Sequence, residues 1–158
     1  MDFILGPKPE GCVLCEAATK AKAERLETLV LAETELSFVI INRYPYTHGH
    51  IMVVPRRHVG RLEDLDIRER HDLMDLVIGA KVALDQSVKP HGINVGMNLG
   101  KVAGAGIEAH IHVHLVPRWE GDTNFMPVLA DTRVMPEHLL STYQSMVPAF
   151  EALDTHPT

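Results

Sequence analysis

His110-Ile111-His112-Val113-His114-Leu115-Val116 is the stretch from which the rest of the chain is read. Polar and apolar residues alternate, and the apolar ones are mostly β-branched, so the segment reads as a strand. Alternate side chains of a strand share a face. His110, His112 and His114 are therefore expected on one side, with Ile111, Val113 and Leu115 entering a core on the other. Histidine is neither a strong strand former nor a good core residue, and it titrates near neutrality. A row of three points to a metal held by neighbouring imidazoles, or to an imidazole nucleophile flanked by imidazole helpers. The motif lies inside the chain and is interleaved with apolar residues, which excludes an affinity tag.

Immediately upstream, Gly100-Lys101-Val102-Ala103-Gly104-Ala105-Gly106 places three glycines in seven positions. Such a loop lets backbone amides turn inward and cradle a phosphate oxygen. Further back, residues 66 to about 89 follow a helical pattern. Asp66 is its expected N-cap, with Glu69 completing a capping box. Leu73, Leu76, Val77, Ala80 and Leu84 form its buried stripe, and Pro90 and Gly92 end it. Strands are expected at residues 29–32, 36–41, 50–54 and 93–99. The Pro- and Gly-containing loop at residues 42–49 makes the second and third an antiparallel pair. A last helix is expected from Pro136 to about Met146. Residues 1–11 read as an irregular arm and residues 148–158 as a loose tail.

At 158 residues, 46% hydrophobic and 23% charged, the chain fits one domain, 1–158, with a proper core and no repeat or linker. A formal net charge of -6 argues against binding a nucleic acid polymer, which needs a basic face. No apolar run approaches a membrane span, and the N-terminus lacks a signal-peptide pattern. Two cysteines are too few for a disulfide scaffold, so the expected setting is cytoplasmic.

The triad followed by two apolar residues resembles the signature of the histidine triad (HIT) nucleotide hydrolases and transferases. Asn42-Arg43 after a strand, Gly49-His50 opening the next, and the glycine-rich run fall in that family's order. The resemblance covers roughly residues 12 to 147. The run Trp119-Glu120-Gly121-Asp122-Thr123-Asn124-Phe125-Met126-Pro127 resembles a bacterial branch, some of whose members cleave diadenosine polyphosphates. The resemblance implies an α+β fold: a HIT-like antiparallel sheet of about five strands with a long packed helix, in a homodimer. It also implies that His112 is the nucleophile and forms a covalent nucleotidyl-histidine, a phosphoramidate that splits one displacement into two. His114 would hydrogen-bond the same phosphate, and His50 matches the family's Gly-His position and would orient the nucleophile. Asn42 stands where relatives hold ribose hydroxyls, and Asn98 where an amide meets phosphate or leaving group. Relatives carry Gln, Ser or Thr donors just before the triad. Here stand Ala105, Gly106 and Ile107, so backbone amides, with Gly104, Ala105 and Gly106 as the expected substrate contacts, or a side chain from elsewhere must supply the donors. Phe38, Ile40 and Ile41 are either apolar walls for a purine or plain core.

Cys12-x-x-Cys15 has the bite for a tetrahedral zinc but needs two further ligands. The resemblance supplies them as His58, in Pro55-Arg56-Arg57-His58, and His110, giving a structural zinc site and no organic cofactor. The expected activity is therefore cleavage of a dinucleoside polyphosphate, such as diadenosine tetra- or triphosphate, by a nucleotide hydrolase or nucleotidyl transferase, with a mononucleotide derivative such as a nucleoside phosphoramidate as the other substrate class. Three alternatives stand beside it: a phosphorylase using inorganic phosphate, a zinc metallohydrolase working through the triad, and a nucleotide-binding regulatory module.

Overall fold

The computed structural model describes residues 11–20, 22–122 and 138–155. In chain order these form α1 (Val13–Thr19), α2 (Arg25–Thr28), β1 (Val30–Glu33), β2 (Ser37–Ile41), β3 (Ile51–Pro55), α3 (Ile67–Ser87), β4 (Gly92–Gly96), β5 (Val113–Arg118) and α4 (Leu139–Phe150). The five strands make one antiparallel sheet in the order β1-β2-β3-β5-β4. β2 and β3 pair without a break from Ser37↔Pro55 to Ile41↔Ile51. Their loop is closed by the Asn42 amide, which donates to the His50 carbonyl at 3.0 Å. Gly49 turns this loop at φ 71, with Val88 side-chain atoms 3.3 Å from where a Cβ would stand, so glycine alone fits without strain.

The register sorts side chains between two faces. Ile40, Met52, His114 and Gly96 are successive partners across β2, β3, β5 and β4, so they share one face. Their chain neighbours Val39, Ile41, Ile51, Val53, Val113 and Leu115, all buried, point the other way, where α3 packs over β2, β3 and β5. The α3 stripe predicted from spacing is buried as expected: Leu73, Leu76, Val77, Ala80 and Leu84. Each large aliphatic side chain moved out of water there contributes about 1.5–3 kcal/mol. The capping box also forms, with Asp66 accepting from the Glu69 amide and Glu69 accepting from the Asp66 amide, both at 2.9 Å.

Three expectations are corrected. The strand at residues 93–99 ends at Gly96, because only Gly92 to Gly96 find partners on β5. The ladder of the triad strand begins at Val113. His110 to His112 run ahead of it, with the Ile111 amide bonded to the Val59 carbonyl at 2.7 Å. Ile111 is buried but lies apart from the main apolar cluster that holds Val113 and Leu115. Residues 148–155 are not a loose tail. α4 continues through Pro148 to the fully buried Phe150, and Asp154 then pairs with Arg25 at 2.7 Å. Apolar anchors beyond the proline, Phe150 and the partly buried Leu153, hold what local propensity would release. The arm at residues 1–10, the stretch from Thr123 to Pro127 and the start of the last helix at Pro136 lie outside the described residues.

Candidate active site and metal centre

Four histidines meet on and beside β5; main-chain groups assign the proton of three rings, and the fourth takes its direction from a neighbouring ring. His112 Nδ1 lies 2.8 Å from the carbonyl of His110. A carbonyl only accepts, so Nδ1 carries the hydrogen and Nε2 keeps its lone pair. His50, fully buried, receives the Tyr46 amide on Nδ1 at 3.0 Å and the Asn42 side-chain amide at 3.4 Å. Its hydrogen must therefore sit on Nε2, which meets His114 Nδ1 at 3.0 Å. His114 accepts there and carries its own hydrogen on Nε2. One lone pair on His112 and one N–H on His114 result, on rings 4.8 Å apart.

Burial keeps His50 and His114 neutral. Desolvation, followed by repulsion from His114 and His112, pushes His50 down to about 3. Desolvation and then His112 push His114 down to about 4. His50 was expected to orient the nucleophile directly. Its ring instead bonds His114, and the orienting partner of His112 is the His110 carbonyl. A ring-to-ring reading of sequence cannot see a main-chain acceptor.

His110 is engaged elsewhere. Its Nε2 donates to the Pro55 carbonyl at 2.8 Å, leaving Nδ1 bare toward Cys12 Sγ at 3.3 Å and Cys15 Sγ at 3.5 Å. His58 Nδ1 lies 3.2 Å from Cys15 Sγ. All four ligand atoms fall within 4.8 Å of one another. A tetrahedral zinc with bonds of about 2.3 Å to sulfur and 2.0 Å to nitrogen sets unlike ligands roughly 3.5 Å apart, so the donor set fits that ion. Burial, and then the hydrogen bond and charge of Cys12, hold the Cys15 thiol above its ordinary value. Ionising Cys15 in this place is therefore unfavourable without a cation, and a bound metal would hold it as a thiolate. Among the described residues this is the group of three or more metal-binding side chains. It takes His110 from the triad and leaves out His112 and His114, which speaks against a metal held by the whole row.

A cavity of about 350 Å³ lies on the His114 face of the sheet, between Ile40 and Met52 on one side and α1 on the other. That volume is at the lower end of ligand pockets, about 300–1,000 Å³, and suits one nucleoside. Asn42 lines it, and its side-chain oxygen also accepts the Tyr44 amide at 3.0 Å, a local turn bond. Ile40 and Ile41 line it as well, whereas Phe38 is wholly buried and belongs to the core. Asn98 donates to the Gly104 carbonyl at 3.3 Å, pinning the glycine loop. In that loop the amides of Ala103, Gly104 and Ala105 donate to carbonyls of Gly100 and Lys101. The expected cradle is thus partly spent on the loop's own turn: of the amides of Gly104, Ala105 and Gly106, only that of Gly106 makes no such backbone bond among the described residues.

The sequence alone assigns no role to Arg56 and no place in the cavity wall to Val13, Leu14, Met52 or Ile107. Only the helical spacing of Val13, Leu14 and Ala17 beside the cysteines could have hinted at a wall.

The HIT domain family model matches residues 23–121. The chain belongs to the histidine triad family. This HIT protein is 45% identical over 116 residues to "AP-4-A phosphorylase" of Mycobacterium tuberculosis, the match spanning 73% of this chain and 60% of that one. It is 36% identical over 89 residues to "Bis(5'-adenosyl)-triphosphatase" of Dictyostelium discoideum, 56% of this chain and 59% of that one. The chain thus spans about three fifths of the length of these curated relatives. A Zn-bound histidine triad family protein from Mycobacterium smegmatis shares the fold, with a TM-score of 0.69 at 24% identity over 90% of this chain and 95% of that one.

Proposed function

We propose that this HIT protein cleaves dinucleoside polyphosphates by transferring a nucleotidyl group to Nε2 of His112. The observation that carries the reading is the 2.8 Å bond from His112 Nδ1 to the His110 carbonyl, which leaves Nε2 as the nucleophile. Attack forms an N–P bond and breaks a phosphoanhydride P–O bond. The leaving nucleoside phosphate keeps the electron pair, and His114 Nε2–H donates to the phosphoryl oxygens as their charge develops. His50 keeps that hydrogen in place, since its own Nε2–H occupies His114 Nδ1. A second acceptor then breaks the N–P bond and frees His112. The nucleoside belongs in the cavity beside Ile40, Met52 and Asn42, on the face that His114 shares.

The relative at 45% identity bears the name of a phosphorylase, which favours inorganic phosphate over water as the second acceptor. Diadenosine tetraphosphate supplied with and without phosphate tests both parts. ADP formed only with phosphate supports phosphorolysis, and AMP formed without it supports hydrolysis. No turnover under either condition overturns the reading.

Zinc on Cys12, Cys15, His58 and His110 is part of the proposal, as a structural ion that ties the segment before α1 to the catalytic strand. Metal analysis of protein purified without added zinc should find close to one zinc per chain. A cytoplasmic setting suits the pair, because thiols stay reduced there. Among the described residues no helix is long and apolar enough to cross a membrane. A homodimer completes the reading, supported by an open sheet edge at β4, whose Val95 is 51% exposed.

A further inference from the structure

We infer that Arg56 is a positioning residue for the nucleoside cavity: with Glu33 it clamps the C-terminal end of the helix that walls it. The inference rests on the cavity holding the nucleoside, as proposed above. α1 contributes Val13, Leu14, Glu16 and Ala17 to that cavity. It has seven residues and no side-chain cap at Cys12, far short of the roughly 12–15 residues at which isolated helices become even marginal. Its position is therefore set by what it is fastened to.

The fastenings converge on the turn after β3. At the N-terminal end, Cys15 meets His58 at 3.2 Å. At the C-terminal end, Arg56 Nη2 donates to the Ala18 carbonyl at 2.7 Å. The last carbonyls of a helix lack partners within it and carry its partial negative charge, so a guanidinium suits that place. Arg56 Nη1 donates to Glu33 Oε1 at 2.9 Å, and Glu33 Oε2 is held in turn by Arg25 at 2.6 Å. The guanidinium thus bridges the wall helix and β1 with two nitrogens in fixed geometry. In the same turn, the Pro55 carbonyl holds His110. Residues 55–58 therefore set the distance between the wall and the catalytic strand. Arg56 itself bonds none of the four histidines, so its removal loosens the wall and spares the nucleophile.

The test uses the full chain with its metal in place, AMP as the probe, and diadenosine tetraphosphate as the substrate. Arg56→Ala should raise the AMP dissociation constant and KM by about tenfold, the scale of one lost charged hydrogen bond, with kcat within about twofold. Arg56→Lys keeps the charge but not the two-nitrogen bridge, and should recover part of the affinity. Circular dichroism and thermal melting report whether each variant is folded. Should Arg56→Ala unfold, Arg56→Lys carries the same readings with a smaller expected shift. An unchanged AMP affinity in a folded variant, or a fall in kcat at constant KM, overturns the clamp. Failure of the unsubstituted protein to bind AMP overturns the nucleotide reading itself, so the two failures are told apart.

Discussion

His50, His110, His112 and His114 share a side-chain type and differ in what the main chain offers each ring. Acceptors at Pro55 and His110 fix two tautomers, and the Tyr46 amide fixes a third that passes its direction on to a fourth. Replacing His112 with Asn should lower kcat at least about 10³-fold, the scale of losing a nucleophile, while AMP still binds. Retained turnover measured on the purified variant would exclude His112 from the chemistry. The low values of His50 and His114, about 3 and about 4, also reach stability. Their ordinary value is 6.5. Below it the unfolded chain binds protons that the folded chain refuses, so stability is full above pH 6.5 and declines as pH falls toward 4. Urea midpoints at pH 7.5 and 5 should differ, and His50→Gln should flatten the difference. Equal slopes in both proteins would show that the pair is not responsible. The residue types at these positions were legible in the sequence. The acceptors were not, because a carbonyl's direction depends on where the strand ladder starts.

α3 shows what an element discloses in advance. Its stripe, cap and stop follow from local rules, and each stands where spacing put it. Sequence did not disclose that Glu69 serves twice. Besides closing the capping box it binds Arg57 through both oxygens at 2.6 Å, and Arg57 donates also to the Asp64 carbonyl. The Arg57 hydrogen bond, working against burial, holds the Glu69 carboxyl below the ordinary value. Asp66→Ala removes one half of the box and should cost about 1 kcal/mol, read as a lower melting temperature with activity kept. A melting temperature unchanged by Asp66→Ala would mean that the Glu69 pair alone secures the helix start. The glycine loop shows the opposite case. Three glycines declare a turn, but which amides remain free follows from bonds such as Ala103 to Gly100, set by conformations that composition does not specify.

Across the whole molecule the two edges of the sheet are treated differently, and no stretch of sequence announces this. The β1 edge is stopped by the chain's own end: Asp154 Oδ1 accepts the Glu33 amide at 3.1 Å, and the Thr155 amide donates to the Glu33 carbonyl at 2.9 Å. Burial would raise the Asp154 carboxyl, but bonds from Arg25, Lys22 and the Glu33 amide hold it well below its usual range. The β4 edge has no such cover among the described residues, and four of its five residues are exposed. Val95 pairs with Leu115 and so lies on the α3 side of the sheet. There α3 also leaves Met74, Ile78 and Val82 at 54%, 58% and 48% exposure, in steps of four residues along one stripe. An open sheet edge invites self-pairing in a monomer, exposed apolar surface invites a partner, and a second copy related by a two-fold axis is the simplest cover. Light scattering on the eluting peak should therefore give twice the chain mass of 17.6 kDa. Ile78→Lys with Val95→Lys should shift it to one chain, because each buries an unpaired charge in the contact. A wild-type peak at one chain mass would mean that β4 is protected by something other than a second copy.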